Sequence, residues 1–290
     1  MTPDPRTRAG VRAILAALGR GADKRLGQHF LVEPAVFRRL VEAAGVGPGE
    51  RVVEVGPGLG GLTESLVEAG ARVMAIEKDA RLGAYLEDRF AGRSVTFSFT
   101  DALRYDWGAV PEGSVFVANL PYNVGTRILM DALASGRFDR LVAMLQREVA
   151  DRFTARPGSK DYGPLSLKAQ YLAEVERLFD VAPGSFYPPP KVTSSILRLR
   201  PRGIAPDPGY FRFLDQAFAQ RRKTLRKNLE AAGYERAAIE NALKALGLDP
   251  RVRAEAVGPE AFRALYRLLN GSALPPEPPA EGPAPKAGGG

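Results

Sequence analysis

The sequence predicts an α/β fold with a doubly wound, mostly parallel sheet, followed by a small all-helical domain. Three observations predict it. Residues 51–64, R-V-V-E-V-G-P-G-L-G-G-L-T-E, pass from a β-branched run (Val52, Val53, Val55) through a glycine-rich turn. They continue into Leu62, Leu66 and Val67 at helical spacing, the strand–turn–helix opening of a nucleotide-binding βαβ unit. From there to residue 199, short strand-like runs alternate with amphipathic helical patterns, the signature of a wound parallel sheet. Residues 201–208 hold three prolines and a glycine, which marks a domain boundary. Only helical periodicity follows.

Each element has its own signal. Val11, Ile14, Leu15 and Leu18 make one apolar stripe, predicting a short helix over residues 7–18. Pro34 opens a helix whose inner face is Phe37, Leu40 and Val41. Strands are expected at 72–76, 95–99, 114–118, 141–145, 175–181 and 195–199. Helices are expected at 79–90, 124–133, 147–153 and 164–172, then at 210–219, 223–231, 235–246 and 259–269. Residues 272–290 are rich in Pro, Gly and Ala without periodicity, a composition that does not build a core. The expected organisation is an N-terminal extension (1–22), an α/β domain (23–203), a helical domain (204–270) and a disordered tail (271–290).

Composition narrows the function. A formal net charge of +8 and a pI near 9.8 favour a polyanionic partner. The absence of cysteine excludes disulfides and thiolate metal sites. The single histidine, His29, excludes His-rich metal centres and most His-based triads. No stretch has the apolar length of a membrane span, and the Arg- and Ala-rich start lacks the apolar core of a secretory signal. The expectation is a cytoplasmic monomer with no metal and no membrane partner.

The chemistry concentrates at strand ends. The glycines of the turn allow a ligand to approach the backbone. Glu77 ends the second strand, 21 residues after Gly56, where a carboxylate can accept both hydroxyls of a ribose. Gly56, Gly58 and Glu77 therefore point to an adenosine-type cofactor. Gly56, Gly58 and Gly61 also satisfy G-x-G-x-x-G, so a nicotinamide dinucleotide stays open on these residues alone. The tetrad Asn119-Leu120-Pro121-Tyr122 narrows the choice. It falls at the carboxyl end of the fourth strand, where ligands bind in open α/β sheets. An exocyclic amine on a base is a poor nucleophile, because its lone pair is delocalised into the ring. The Asn119 side-chain oxygen and the Leu120 carbonyl can accept its two N–H protons and turn the lone pair out of the ring plane. Pro121 removes a competing donor and stiffens the turn. Tyr122 offers a ring for stacking that also stabilises developing positive charge. A nicotinamide oxidoreductase would need a Tyr/Lys or His constellation, and none is evident.

With these residues in view, the chain resembles S-adenosylmethionine-dependent amino-methyltransferases, and specifically the small-subunit (16S) ribosomal RNA adenine N6,N6-dimethyltransferases. The resemblance runs through residues 24–31 (K-R-L-G-Q-H-F-L), 54–58, 77–79, 101–103, 119–122, 186–192 (F-Y-P-P-P-K-V) and 220–225 (Q-R-R-K-T-L). It spans about residues 24 to 270. It implies a Rossmann-like methyltransferase domain, S-adenosyl-L-methionine as cofactor, and the small ribosomal subunit or its rRNA as partner. The implied reaction is dimethylation of two adjacent adenosines in a hairpin loop near the 3′ end of that rRNA.

Carried over position by position, the resemblance sets His29 and Leu31 against the methionine part of the cofactor. Gly56 goes under its backbone, Glu77 on its ribose, and Asp101 on its adenine amine. Gln28, Gly58, Lys78 and Ala102 belong to the same site. Asn119 lies between cofactor and target base, and Phe186, held by three consecutive prolines, stacks on the base opposite Tyr122. The family often has Asn where this chain has His29. Arg221, Arg222, Lys223, Arg226 and Lys227 form a basic run. On one helix, Arg222 and Arg226 would share a face, as would Lys223 and Lys227. Phosphate would relieve their mutual repulsion, so this run is assigned to RNA contact.

Overall fold

The structure, a computed structural model, describes residues 2–23 and 27–271. The expected tail, from residue 272 on, and residues 24–26 of the K-R-L-G-Q-H-F-L stretch lie outside them. The chain divides into two compact units, Met1–Asp207 and Pro208–Gly290.

The first unit runs α1 (Arg8–Ala17), β1 (Phe30–Leu31), α2 (Pro34–Ala44), β2 (Arg51–Val55), α3 (Gly61–Glu68), β3 (Arg72–Glu77) and α4 (Gly83–Arg89). It continues through β4 (Val95–Phe99), β5 (Ser114–Asn119), α5 (Gly125–Ala134), β6 (Phe138–Gln146), α6 (Arg147–Thr154) and α7 (Pro164–Leu172). It closes with β7 (Ala173–Val181), β8 (Phe186–Tyr187) and β9 (Ser194–Pro201). Seven strands form one sheet in the order β4-β3-β2-β5-β6-β9-β7. Strands β2 to β6 are mutually parallel, and β9 is antiparallel to both its neighbours. From β2 the chain moves outward to β3 and β4, then returns to the other side at β5. That reversal opens a crevice at the carboxyl ends of β2 and β5, the place where such sheets bind ligands. A separate two-stranded pair joins β1 to β8, with Phe30 opposite Tyr187 and Leu31 opposite Phe186.

The central strands are β-branched and buried on both faces, as a covered parallel sheet requires: Val115, Phe116 and Val117 have no exposed surface. Helix α2 covers one face with Phe37 and Leu40, which pack with Val52, Val117 and Met144. The N-terminal extension is part of this unit rather than an appendage. Thr7 caps α1 by accepting from the Gly10 N–H, and Val11, Ile14 and Leu15 pack against Phe30, Leu59 and Leu86.

The helix expected at 79–90 is shorter than its apolar pattern. The Asp79 side chain caps a single 3₁₀ turn, Ala80–Leu82, and α4 starts only at Gly83.

The second unit comprises α8 (Pro208–Ala217), α9 (Leu225–Ala231), α10 (Arg236–Ala245) and α11 (Pro259–Asn270). Its core includes Phe213, which meets Phe262 and Tyr266 edge-on or tilted. Here the helix expected at 223–231 is corrected at its start. Thr224 accepts from the Lys227 N–H and serves as N-cap, so α9 begins at Leu225. Arg221, Arg222 and Lys223 therefore lie in an exposed turn between α8 and α9. They share no helix face with Arg226 or Lys227.

Candidate active site

The carboxyl ends of β2, β3 and β5 and the segment after β4 border one cleft. Every residue assigned to the cofactor from sequence lines it, as do Asn119, Leu120, Pro121 and Tyr122. The glycine turn forms its floor. Gly56 and Gly58 take φ of 73° and 57°, a left-handed conformation that a side chain would strain. Gly60 is left-handed too (φ 83°), and a Cβ there would in addition lie 2.6 Å from the Phe90 ring.

Glu77 is the fixed point of the site. It is 6% exposed, and its two oxygens accept from the Gly58 N–H (3.0 Å) and the Asp79 N–H (2.7 Å). Burial pushes its carboxyl above the ordinary range, against those two bonds. Asp101, just past β4, pairs with the Lys78 ammonium at 2.8 Å and caps the following turn through the Leu103 N–H. The hydrogen bond from Lys78 holds the Asp101 carboxyl below its ordinary range. Ala102 is buried beside it. Gln28 turns its amide to Asp79, donating at 3.3 Å.

The tetrad forms the other wall. Asn119 ends β5, and its side-chain nitrogen reaches toward the His29 carbonyl at 3.5 Å. The Leu120 side chain is buried, and its N–H donates to Met144. The Tyr122 hydroxyl meets the Ser194 hydroxyl at 2.7 Å. Its ring stacks on His29, with centroids 5.6 Å apart and planes 24° apart. Nδ1 of His29 lies 2.8 Å from the Pro188 carbonyl, which makes Nδ1–H the donor. The imidazole is thus tied to the proline-rich loop while it covers one face of Tyr122.

Two assignments from sequence are corrected by their surroundings. Phe186 has no exposed surface and sits in the apolar core with Leu31, Val181 and Ile196. The pairing of β8 with β1 turns its ring inward, so it offers no face to a base. Tyr187, the alternate residue, points to the other side and lies beneath the Arg8 and Arg12 guanidiniums. In the helical unit, Arg226 is engaged by Glu230 (3.3 Å) and Glu240 (3.0 Å), which makes it an intra-unit cross-link. Arg221, Arg222, Lys223 and Lys227 are exposed.

Sequence reasoning did not single out Glu54 or the N-terminal extension as parts of the cleft. Glu54 lines it from β2 at 1% exposure, accepting from the Thr63 hydroxyl at 2.7 Å. Burial pushes its carboxyl up to about 8. Its signal was a lone acid in an apolar strand. Pro5 also lines the cleft, through contacts that no local pattern encodes.

Among the described residues, no three His, Cys, Asp or Glu side chains group as metal ligands, and no helix is long and apolar enough to cross a membrane.

A family model described as "Ribosomal RNA adenine dimethylase" matches residues 20–270. The chain belongs to that family. It is a ribosomal RNA adenine dimethyltransferase that uses S-adenosylmethionine. The donor set fits the cofactor: a glycine backbone cradle, a buried carboxylate at the β3 tip and a second carboxylate after β4. Among similar curated proteins are "Ribosomal RNA small subunit methyltransferase A" of Deinococcus radiodurans, 44% identical over 266 residues and covering 90% of each chain. The protein of the same name from Acidobacterium capsulatum is 45% identical over 268 residues, covering 89% of this chain and 94% of its own. Among solved structures, the 23S rRNA methyltransferase ErmE is 28% identical with a TM-score of 0.63, covering 81% of this chain and 97% of its own. A dimethyladenosine transferase from Plasmodium falciparum shares the fold, with 24% identity, a TM-score of 0.67 and coverage of 80% and 94%.

Proposed function

We propose that this dimethyltransferase acts on the small ribosomal subunit, placing two methyl groups on the N6 amine of each of two adjacent adenosines in a hairpin loop near the 3′ end of its rRNA. The single observation that carries the chemistry is Asn119-Leu120-Pro121-Tyr122 at the end of β5, on the same cleft as Gly56 and Glu77. The names and coverage of the curated relatives support the choice of the small subunit.

When bound, the cofactor supplies an electrophilic methyl group on a sulfonium. Everything else falls to the chain. Glu77 holds a ribose edge, and Asp101 with Lys78 borders the adenine end. The target adenine enters against Tyr122, whose ring stacks on it and stabilises the cationic amine that forms as the methyl arrives. The Asn119 side-chain oxygen and the Leu120 carbonyl accept the amine N–H bonds, which localises the lone pair for attack. The cationic amine then releases one proton to solvent, which restores its lone pair and leaves one N–H, and the same acceptors orient it for the second transfer. Phe186 has no part in the stack; its ring belongs to the core.

In the helical unit, Arg221, Arg222 and Lys223 on the α8–α9 turn, with Lys227 on α9, contact phosphate. Such contacts position an RNA without reading its sequence, which suits a structured substrate recognised by shape.

The test is incubation with labelled methyl donor and undermethylated ribosomal subunits of both sizes. The expected product is N6,N6-dimethyladenosine in small-subunit rRNA alone. Label in large-subunit rRNA, or on a base other than adenine, would overturn the proposal.

A further inference from the structure

The cofactor cleft is completed by a segment upstream of most of the matched family span. Pro5 lines the cleft, and the Pro5 carbonyl packs against Gly61 at the start of α3. Arg8 donates to the carbonyls of Gly184 and Phe186 in the β8 region. Arg20 reaches deepest. Its Nη2 lies 2.6 Å from Oδ2 of Asp79, whose side chain is 2% exposed. Asp79 in turn donates its N–H to Glu77. The chain of contacts therefore runs from the extension through Asp79 to the carboxylate assigned to the ribose.

The electrostatics give this chain a function. Asp79 is a buried negative charge next to Glu77, and on its own it disfavours ionisation of Glu77. Burial opposes ionisation of Asp79 as well, but hydrogen bonds from Arg81 and Arg20 overcome it and hold its carboxyl at about 2. Arg81 is solvent-exposed, whereas Arg20 is largely enclosed, so the Arg20 charge is the less screened of the two. The other titratable groups near Glu77 are Glu54 on β2, whose carboxyl is raised by burial and by Glu77, and the Lys78–Asp101 pair.

We propose that the N-terminal segment is part of the cofactor site, and that Arg20 is a positioning residue that neutralises Asp79 so that Glu77 stays ionised and aimed at the ribose. This rests on the reading that Glu77 accepts the ribose hydroxyls. The sign follows from linkage: Glu77 binds ribose as a carboxylate, so affinity is full above its titration and falls as pH drops through it. Removing Arg20 leaves Asp79 less compensated, raises that titration and moves the loss of affinity to higher pH.

The experiment is calorimetric titration of the full-length protein with S-adenosylhomocysteine between pH 5.5 and 8.5. Arg20→Met is expected to raise the dissociation constant by roughly threefold to thirtyfold, as for coupled neighbours in one network, most strongly at the acid end. Arg20→Lys should restore much of the affinity. The double variant Arg20→Met/Asp79→Asn should restore the wild-type pH midpoint, because the harmful charge is gone while the backbone N–H to Glu77 remains. If Arg20→Met proves unstable, Asp79→Asn alone carries the test, with binding expected to persist to lower pH than in wild type. Glu77→Ala separates the two readings. If it binds tenfold or more weakly while the Arg20 and Asp79 variants keep the wild-type pH profile, the relay is overturned and the ribose assignment stands. If Glu77→Ala binds as wild type does, both are overturned.

Discussion

The cleft of the first unit and the basic turn of the second use charge in opposite ways. At the cleft, Glu77 and, behind it, Asp79 are buried charges, each carboxylate held by named donors. In the turn, Arg221, Arg222 and Lys223 stand in solvent on a loop. Buried charges keep their strength in salt, whereas exposed ones are screened within about 10 Å at ordinary ionic strength. The first arrangement suits a small molecule met by fixed donors and acceptors. The second suits a large, hydrated polyanion whose phosphates need only be near. The difference separates chemistry from grip, and each variant below should move one and spare the other.

The largest expected effect is at Asn119. Asn119→Ala should slow single-turnover methyl transfer by about 10²–10³-fold, the cost of losing one oriented hydrogen-bonding group at a reacting centre. Its cofactor dissociation constant should change little. Rapid-quench kinetics with both ligands saturating checks this, and an unchanged rate would remove Asn119 from the orientation of the amine.

Next come the two rings whose roles the fold divides. Phe186→Ala should act on stability, costing about 3–5 kcal/mol for a truncated core aromatic, seen as a lower melting temperature. Tyr122→Ala should act on the substrate, losing about 1–3 kcal/mol of stacking, seen in kcat/KM with the melting temperature less affected. The reverse pattern would return Phe186 to the base-stacking role that the family resemblance gives it.

These two rings also show what the sequence could and could not reveal. Gly56, Gly58, Glu77 and Asn119 were legible because backbone rules tie them to strand ends: a glycine turn after one strand, an acid at the tip of the next. Phe186 was not, because its face depends on the register of β8 against β1, and side chains alternate with a period of two. The basic run was legible as charge but not as geometry, since Thr224 caps α9 and breaks the helical spacing. Arg226 looked like a phosphate ligand until Glu240, from the next helix, closed on it. The role of the extension lay out of reach of local pattern: Arg8 and Gly184, which it joins, are 176 positions apart.

A smaller effect should appear in the turn. Neutralising Arg221, Arg222 and Lys223 together should weaken binding to small subunits and flatten its salt dependence, by roughly 0.7–0.9 in log–log slope per lost phosphate contact. Cofactor affinity should not change. Adding Arg226→Met should leave the slope where the triple variant puts it, because that cation is spent on Glu230 and Glu240. Equal slopes for wild type and triple variant would make the turn an ordinary solvated surface.

The effect that touches neither substrate nor RNA, and shows only with pH, concerns Glu54. Its carboxyl rises from an ordinary 4.5 to about 8 in the fold. A raised carboxyl contributes fully to stability below about 4.5 and loses that contribution as pH climbs through about 8. Glu54→Gln, which cannot ionise, should therefore gain melting temperature relative to wild type at pH 9 and show little difference at pH 5. For a domain of this size the gain is about 2–4 °C per kcal/mol. A constant offset across that range would mean that Glu54 is ionised in the folded protein at all these pH values.

The central claim is that the tetrad at the end of β5 delivers methyl groups to neighbouring adenines of small-subunit rRNA. The most direct measurement is nuclease digestion and mass spectrometry of that rRNA's 3′-terminal hairpin after reaction with wild-type protein and with Asn119→Ala. The account predicts four methyl groups on two adjacent adenines with wild type, and almost none with the variant in the same time. Methyl groups on an isolated adenine, on another base, or in equal amount with Asn119→Ala would contradict it.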